Sequence, residues 1–134
     1  KVTVSANRNV DLNGTGTDYG TKDIAYSPSG SVGNVLVFSP IKALHLSLLQ
    51  KFVGEQFMNN IELPAAKLAD YFVNDFNVSY TFKPKTIFKE IVLSGLVTNF
   101  LAKKYVSNGY MYAAYPSYYP QAGINFLAGL NLKF

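Results

Sequence analysis

Residues 123–134 read GINFLAGLNLKF and alternate between apolar and polar side chains. Alternation with a period of two is typical of a β-strand whose two faces meet different environments. The last residues of a soluble domain are usually frayed and polar unless something holds them in place. One side of this stretch carries Phe126, Ala128, Leu130, Leu132 and Phe134, and the other side carries Asn125, Gly129, Asn131 and Lys133. The stretch therefore predicts a two-faced terminal strand with one apolar side.

The same period recurs along the chain. Residues 43–56 and 71–82 show it most completely, residues 2–7 and 32–38 repeat it, and residues 91–102 show it least clearly. Segments rich in Gly, Pro, Asn and Ser separate these runs, at residues 13–16, 39–42, 59–64, 83–85 and 107–123. Such residues break strands. The pattern predicts an all-β fold, an antiparallel meander of about six long strands, with proline-containing turns at one end and long loops at the other.

Composition narrows the function classes. Charged residues make up 15% of the 134 residues, whereas an ordinary soluble domain has roughly 25%. The absence of cysteine excludes disulfides, thiolate metal sites and a cysteine nucleophile. The net charge of +4 comes from scattered lysines without a basic run, so we do not expect nucleic-acid binding. No apolar stretch approaches the roughly 18 residues of a transmembrane helix.

Long two-faced strands joined alternately by short turns and long loops are typical of outer-membrane β-barrels. Phe72 and Phe82 lie ten positions apart, which corresponds to about 23 Å of membrane thickness for a strand tilted near 45°. Phe38, Phe82 and Phe134 stand near expected strand ends and are predicted to form an aromatic girdle at one membrane interface. About six strands cannot close such a barrel, since the smallest need about eight. We therefore expect residues 1–134 to be the C-terminal part of a larger transmembrane β-barrel domain.

Four segments carry a resemblance to a known family. They read SPIKALHLSLLQKFVGEQF (39–57), YFVNDFNVSYTFKPK (71–85), KKYVSNGY (103–110) and YYPQAGINFLAGLNLKF (118–134). In order and spacing they resemble the C-terminal barrel strands of TonB-dependent outer-membrane receptors from Gram-negative bacteria, from about residue 25 to the last residue. The penultimate strand keeps the family's Asn99 and Tyr105 and departs from its pattern at Thr98 and Ala102. The resemblance implies active uptake of a nutrient such as a siderophore, a vitamin or a glycan.

The resemblance also implies partners and a location. The family's barrel has about 22 strands and encloses an N-terminal plug, through which the TonB complex acts. The remaining strands, the plug, the barrel-assembly machinery and outer-membrane lipid are the expected partners, the cell outer membrane is the expected location, and no cofactor is expected. The assembly signal of the family resembles the terminal set Phe126, Leu130, Leu132 and Phe134. The resemblance implies that Phe134 lies at the periplasmic rim of the barrel. The proline turns are then expected in the periplasm, and residues 11–23, 57–69 and 107–123 are expected outside the cell.

The last predicted loop is rich in tyrosine. Tyrosine rings combine a rigid aromatic surface with a polar tip, which suits the capture of a flat or glycan-like substrate. The alternative, that these tyrosines pack the loop and mark the outer interface, stays open. The candidate substrate-binding residues are Tyr110, Tyr112, Tyr115, Tyr118 and Tyr119.

Other candidate sites are weaker. Residues 11–18 resemble the start of a calcium loop, but the bidentate Glu expected at its twelfth position is Lys22, so no metal site is predicted. His45 is the single histidine and falls on a polar face, where we expect a residue of the barrel lumen. No Ser, His and carboxylate set accompanies it, and we predict no catalytic residues and no enzyme activity. An outer-membrane adhesin or enzyme barrel and a soluble lipid-binding β-barrel remain the alternatives.

Overall fold

The computed structural model of the chain describes residues 3–4, 8–10, 16–84 and 87–134. A single 3₁₀ turn, Pro64–Ala66, is present, and no α-helix occurs within those ranges. The prediction of an all-β fold is confirmed. The strands are β1 (Thr3–Val4), β2 (Arg8–Val10), β3 (Gly16–Asp18), β4 (Lys22–Asp23), β5 (Ser31–Ile41), β6 (Leu44–Val53), β7 (Gln56–Phe57), β8 (Lys67–Leu68), β9 (Tyr71–Phe82), β10 (Glu90–Thr98), β11 (Val106–Tyr112), β12 (Tyr115–Pro120) and β13 (Asn125–Lys133).

The chain divides into two compact units. The first, which we call the sheet unit, comprises Val32–Phe52, Phe72–Lys104 and Ala122–Phe134. The second, which we call the hairpin unit, comprises Lys1–Ser31, Val53–Tyr71 and Tyr105–Gln121.

The sheet unit is one antiparallel sheet with the strand order β13-β10-β9-β6-β5. Each long strand lies beside the long strand that precedes it in the chain, so the predicted antiparallel meander is confirmed. The sheet has five strands, of 9 to 12 residues each. The sixth predicted strand, residues 2–7, lies partly outside the described residues. Its described part, Thr3–Val4, pairs with Lys22–Asp23 and does not join the sheet.

Three strand ends differ from the sequence-based expectation. The run over residues 43–56 ends as β6 at Val53, and Gln56–Phe57 form the separate strand β7. Strand β10 was expected to reach residue 102 but ends at Thr98, because Asn99 adopts a left-handed backbone with φ of 49°. The side-chain amide of Asn99 donates to the carbonyl of Lys103 at 2.8 Å and accepts from its backbone N–H at 2.9 Å. Strand β5 continues past the expected turn to Ile41. It can include Pro40 because β5 is an edge strand, where proline is tolerated.

The hairpin unit consists of the two-stranded pairs β1-β4, β2-β3, β7-β8 and β11-β12. Its hydrophobic core contains Met58, Ala66 and Leu68, against which Leu63, Val106 and Met111 pack. The predicted loops 57–69 and 107–123 therefore contain short strands, which the sequence did not reveal. Packing against a small hydrophobic core holds these segments in place.

We expect Asn99→Ala to lower the free energy of unfolding by about 2–4 kcal/mol, because it removes hydrogen bonds of a buried amide and leaves a non-glycine residue in a left-handed conformation. A urea titration followed by circular dichroism measures this change. Asn125→Ala is the matched control, since that side chain is exposed and bonds the nearby carbonyl of Gly123, and it should change stability by about 0.5 kcal/mol or less. Equal losses in the two variants would contradict the role given to Asn99.

Candidate functional site

The register of β9, β10 and β13 separates apolar from polar side chains. Val78 lies opposite Gly95, which lies opposite Ala128. Residues directly opposite each other in antiparallel strands project from the same face of the sheet. The neighbouring rows follow the same rule and complete an uncharged surface, which we call the oily face: Phe76, Val78, Tyr80, Phe82, Ile91, Leu93, Gly95, Val97, Phe126, Ala128, Leu130 and Leu132.

The opposite side of these three strands, the polar face, carries most of their hydrogen-bonding and charged side chains. Val92, Leu96 and Leu127 are its apolar members. The departure of Leu96 from the alternation was visible in the sequence. The remaining members are Asn77, Ser79, Thr81, Glu90, Ser94, Thr98, Asn125, Gly129, Asn131 and Lys133.

No protein covers the oily face within the described residues. Leu130 is 61% exposed and Phe126 is 72% exposed. Val73 is the one buried hydrophobic residue among the described residues of the sheet unit, and every residue of the edge strands β5 and β13 is exposed. The apolar side chains of this sheet therefore do not converge on a dry centre.

The three predicted girdle residues are all exposed, but they differ in position. Phe82 is the last residue of β9, and Phe134 follows the last residue of β13 and lies with its ring centroid 5.0 Å from that of Phe88. Both lie at the sheet end that we call the turn end, where the turn Lys42–Ala43 joins β5 to β6. Phe38 lies inside β5, so the prediction that it closes its strand is wrong. Strand β5 extends to Ile41, beyond Pro40.

The predicted assembly residues lie along one edge of the sheet. Phe126, Leu130 and Leu132 belong to β13 and project from the oily face, and Phe134 follows them. Strand β13 pairs with β10 on one side, and its other side has no partner strand in the part of the chain that is described. This arrangement leaves one row of backbone hydrogen-bonding groups and four apolar side chains available to another molecule or chain segment.

A row of amide side chains crosses three strands of the sheet unit. The Asn34 amide donates to Gln50 Oε1 at 3.1 Å, and the Gln50 amide donates to Asn74 Oδ1 at 3.1 Å. Asn74 is buried, and its Nδ2 atom has no hydrogen-bond partner. The alternation of strand β9 places Asn74 on the same side as Phe76. The sequence showed these polar positions but not that they join into one row.

The hairpin β11-β12 distributes the five candidate tyrosines over two sides. Tyr112 lies opposite Tyr115, and Asn108 lies opposite Tyr119. The register therefore places four of the five on one side, which we call the tyrosine face: Tyr110, Tyr112, Tyr115 and Tyr119. Tyr118 lies opposite Gly109 on the other side.

The other side of this hairpin is attached to the core of the hairpin unit. Met111 packs against the core cluster, and the Tyr118 hydroxyl donates to the carbonyl of Ala65 at 2.8 Å. Gly109 approaches the core so closely that an added Cβ would lie 2.6 Å from Met58 Sδ. The tyrosine face remains open, since Tyr112 is 77% exposed and Tyr115 is 76% exposed. A fixed hairpin thus presents an aromatic surface to the surroundings.

The tyrosine face carries no formal charge. The whole segment 105–122 contains no Asp, Glu, Lys or Arg. The rings of Tyr110 and Tyr119 lie 6.0 Å apart, centroid to centroid, with an angle of 35° between their planes. Asn108 and Ser117 share this side of the hairpin and add polar groups. The arrangement offers ring surfaces and hydrogen-bonding groups to a neutral ligand.

Other candidate residues show no metal-binding arrangement. His45 Nδ1 lies 2.8 Å from the hydroxyl oxygen of Ser39. Among the residues that the structure describes, no group of three or more His, Asp and Glu side chains could hold a metal ion. Residues 11–15 of the calcium-like segment lie outside the described residues.

No protein-family model matches the chain, and no curated protein matches it either. Within the described ranges, no helix is long and apolar enough to cross a membrane. The function must therefore be inferred from the oily face and the tyrosine face themselves.

We expect Gly109→Ala to lower the free energy of unfolding of the hairpin unit by about 1–3 kcal/mol, because the added methyl group would lie 2.5 Å from the backbone carbonyl oxygen of Ser117 and has no space beside Met58. A urea titration followed by the near-ultraviolet circular dichroism of tyrosine detects this loss. Gly30→Ala is the control in the same unit, since an added Cβ there meets no atom within 4 Å. Indistinguishable midpoints for the two variants would contradict the close packing of the hairpin.

Proposed function

We propose that the chain is the C-terminal part of the transmembrane β-barrel of a TonB-dependent outer-membrane receptor, which imports a nutrient such as a siderophore, a vitamin or a glycan. The observation that carries this proposal is the uncharged oily face, which continues across three strands without protein covering it. Apolar surface of this extent is stable when hydrocarbon, and not water, surrounds it. The resemblance of the four sequence segments supplies the family.

The sheet edges support a larger parent barrel. In hydrocarbon no water is available to bond an open row of backbone N–H and C=O groups, so membrane sheets close on themselves. Strands β5 and β13 form the two edges of the sheet. In this proposal they pair with strands of the parent barrel, of about 22 strands, which also encloses the plug that contacts the TonB complex.

The orientation follows from the aromatic residues and the connections. In this proposal Phe82 and Phe134 lie at the membrane interface on the turn end, which faces the periplasm, where the barrel-assembly machinery receives the terminal strand. The longer connections, residues 54–70 and 99–124, leave the other strand ends and face outside. The tyrosine face then belongs to the side from which substrate arrives.

Tryptophan quenching tests the membrane assignment directly, because the chain contains no tryptophan of its own. We expect Val78→Trp to lose most of its fluorescence in vesicles of phosphatidylcholine brominated on the acyl chains, since this position lies on the oily face. Ser79→Trp, one residue further on the polar face, should keep most of its emission. Equal quenching at both positions, or a monodisperse chain that does not bind the vesicles, would favour a soluble barrel and refute the proposal.

A calorimetric titration tests whether the tyrosine face binds substrate, with ferrichrome, cyanocobalamin and maltoheptaose as probes of the three nutrient classes. We expect one probe to bind and the double variant Tyr112→Ser/Tyr115→Ser to weaken that binding about tenfold or more.

The control for this titration is Tyr118→Phe, which removes a hydroxyl group on the opposite side of the hairpin and should leave the affinity nearly unchanged. Unchanged affinity of the double variant, or no binding of any probe, would remove the substrate role and leave an adhesin as the better interpretation.

A further inference from the structure

The sheet unit carries a large excess of positive charge. Lysines outnumber acidic residues in it by a wide margin, although the net charge of the whole chain is only +4. Its basic residues are Lys42, Lys51, Lys83, Lys85, Lys89, Lys103, Lys104 and Lys133, and its acidic residues are Asp75 and Glu90. The position of these charges on the sheet decides what they can bind.

Four of the lysines lie at the turn end and form what we call the basic end. Lys42 lies in the turn between β5 and β6, Lys83 directly follows β9, Lys89 directly precedes β10, and Lys133 is the last residue of β13. All four are exposed. They therefore line one end of the sheet, each at the end of a different strand or turn.

A single acidic side chain accompanies these lysines at the turn end within the described residues. Glu90 Oε2 lies 3.4 Å from Lys83 Nζ, and Glu90 lies opposite Lys133 in the register. Even with the terminal carboxylate of Phe134, which lies at the same end, two carboxylates cannot neutralise four ammonium groups, so the basic end keeps a positive excess. The Lys83 side chain is still 72% exposed despite its ion pair, and an external anion can reach it.

A shallow cavity lies at the same end of the sheet, on the polar face that carries Thr81 and Glu90, and so on the side away from the oily face. It has a volume of about 450 Å³ and is lined by Lys42, His45, Thr81, Lys83 and Glu90, with Ala43 between them. The lysine side chains are long and flexible, so their ammonium groups can extend beyond the strand ends while their methylene groups stay against the protein. The basic end can thus contact a planar anionic surface.

The order of residues along the strands identifies that surface. Along β9 the oily face passes through Val78 and Tyr80 to Phe82, and Lys83 follows at once. Apolar side chains, then an aromatic ring, then a cation is the order in which hydrocarbon, interface and headgroups follow one another in a membrane. The end of strand β13 also combines an apolar residue, a cation and an aromatic ring, although there Lys133 stands between Leu132 and Phe134.

We propose that the basic end binds the phosphate groups of anionic phospholipids in the membrane leaflet that meets the turn end of the sheet. This inference rests on the proposed function, because it requires that the oily face lie in hydrocarbon. The lysines lie at separate strand ends and turns and are not gathered around one point, which suits several headgroups in a plane. Each lysine near an anionic membrane surface strengthens binding by about fivefold.

Vesicle flotation of the full chain tests the proposal. The chain is equilibrated with vesicles of phosphatidylcholine and with vesicles of phosphatidylcholine mixed with phosphatidylglycerol, and the two association constants are compared. We expect phosphatidylglycerol to strengthen association by about tenfold or more. Raised sodium chloride should abolish this gain, since salt screens exposed charges.

Two triple variants locate the effect. Lys42→Gln/Lys83→Gln/Lys133→Gln removes three charges from the basic end and should lose most of the gain from phosphatidylglycerol. The matched control, Lys51→Gln/Lys103→Gln/Lys104→Gln, removes three exposed charges from the same unit toward the other strand ends and should keep it. Retention of the gain by the first variant, or an equal loss in both, would overturn the proposal.

One combination of results would refute the headgroup site and leave the proposed function intact. If Val78→Trp is quenched by brominated acyl chains while phosphatidylglycerol brings no gain, the membrane assignment stands and the headgroup site is refuted. Inorganic phosphate at matched ionic strength should not compete with the vesicles more than chloride does. Stronger competition by phosphate would indicate a site for the free ion and would also overturn the lipid proposal.

Discussion

The alignment of apolar positions across three strands is the constraint on which the rest of the sheet unit depends. Side chains alternate with a period of two, so a shift of one residue in any strand would move its apolar set to the other face. The pairs Val97–Phe126 and Phe76–Val97 keep those sets together. The backbone hydrogen bonds and the oily face therefore specify the same register.

Much of this sheet could be predicted from the sequence because its pattern is local. Strand β9 spans Tyr71–Phe82, the same bounds that the alternation gave, and β13 differs little from its prediction. The end of strand β10 could not be predicted in the same way, because it depends on a partner that is distant in the sequence. The backbone N–H of Asn99 donates to Asp75 Oδ1, 24 residues away in sequence, and no local pattern announces such a bond.

The sequence shows the five candidate tyrosines but not on which side of the hairpin each of them lies. Five tyrosines within residues 107–123 are obvious in the sequence, yet their sides depend on where the hairpin turns. The turn at Ala113–Ala114 makes Tyr112 and Tyr115 opposite neighbours, and Ala113 has a positive φ of 51°. Turns of this kind usually contain Gly, Asn or Asp. An Ala-Ala turn gives no such signal. The sequence alone therefore does not show that Tyr118 lies on the opposite side of the hairpin from the other four tyrosines.

The two units obtain their stability from different sources. Met58, Ala66 and Leu68 give the hairpin unit a protein core, against which Met111 of the tyrosine-bearing hairpin packs. The sheet unit places its apolar side chains outward, so its stability depends on what surrounds it. If the oily face lies in hydrocarbon, as proposed, the sheet unit is stabilised by an apolar environment, whereas the hairpin unit is stabilised by its own core and needs none.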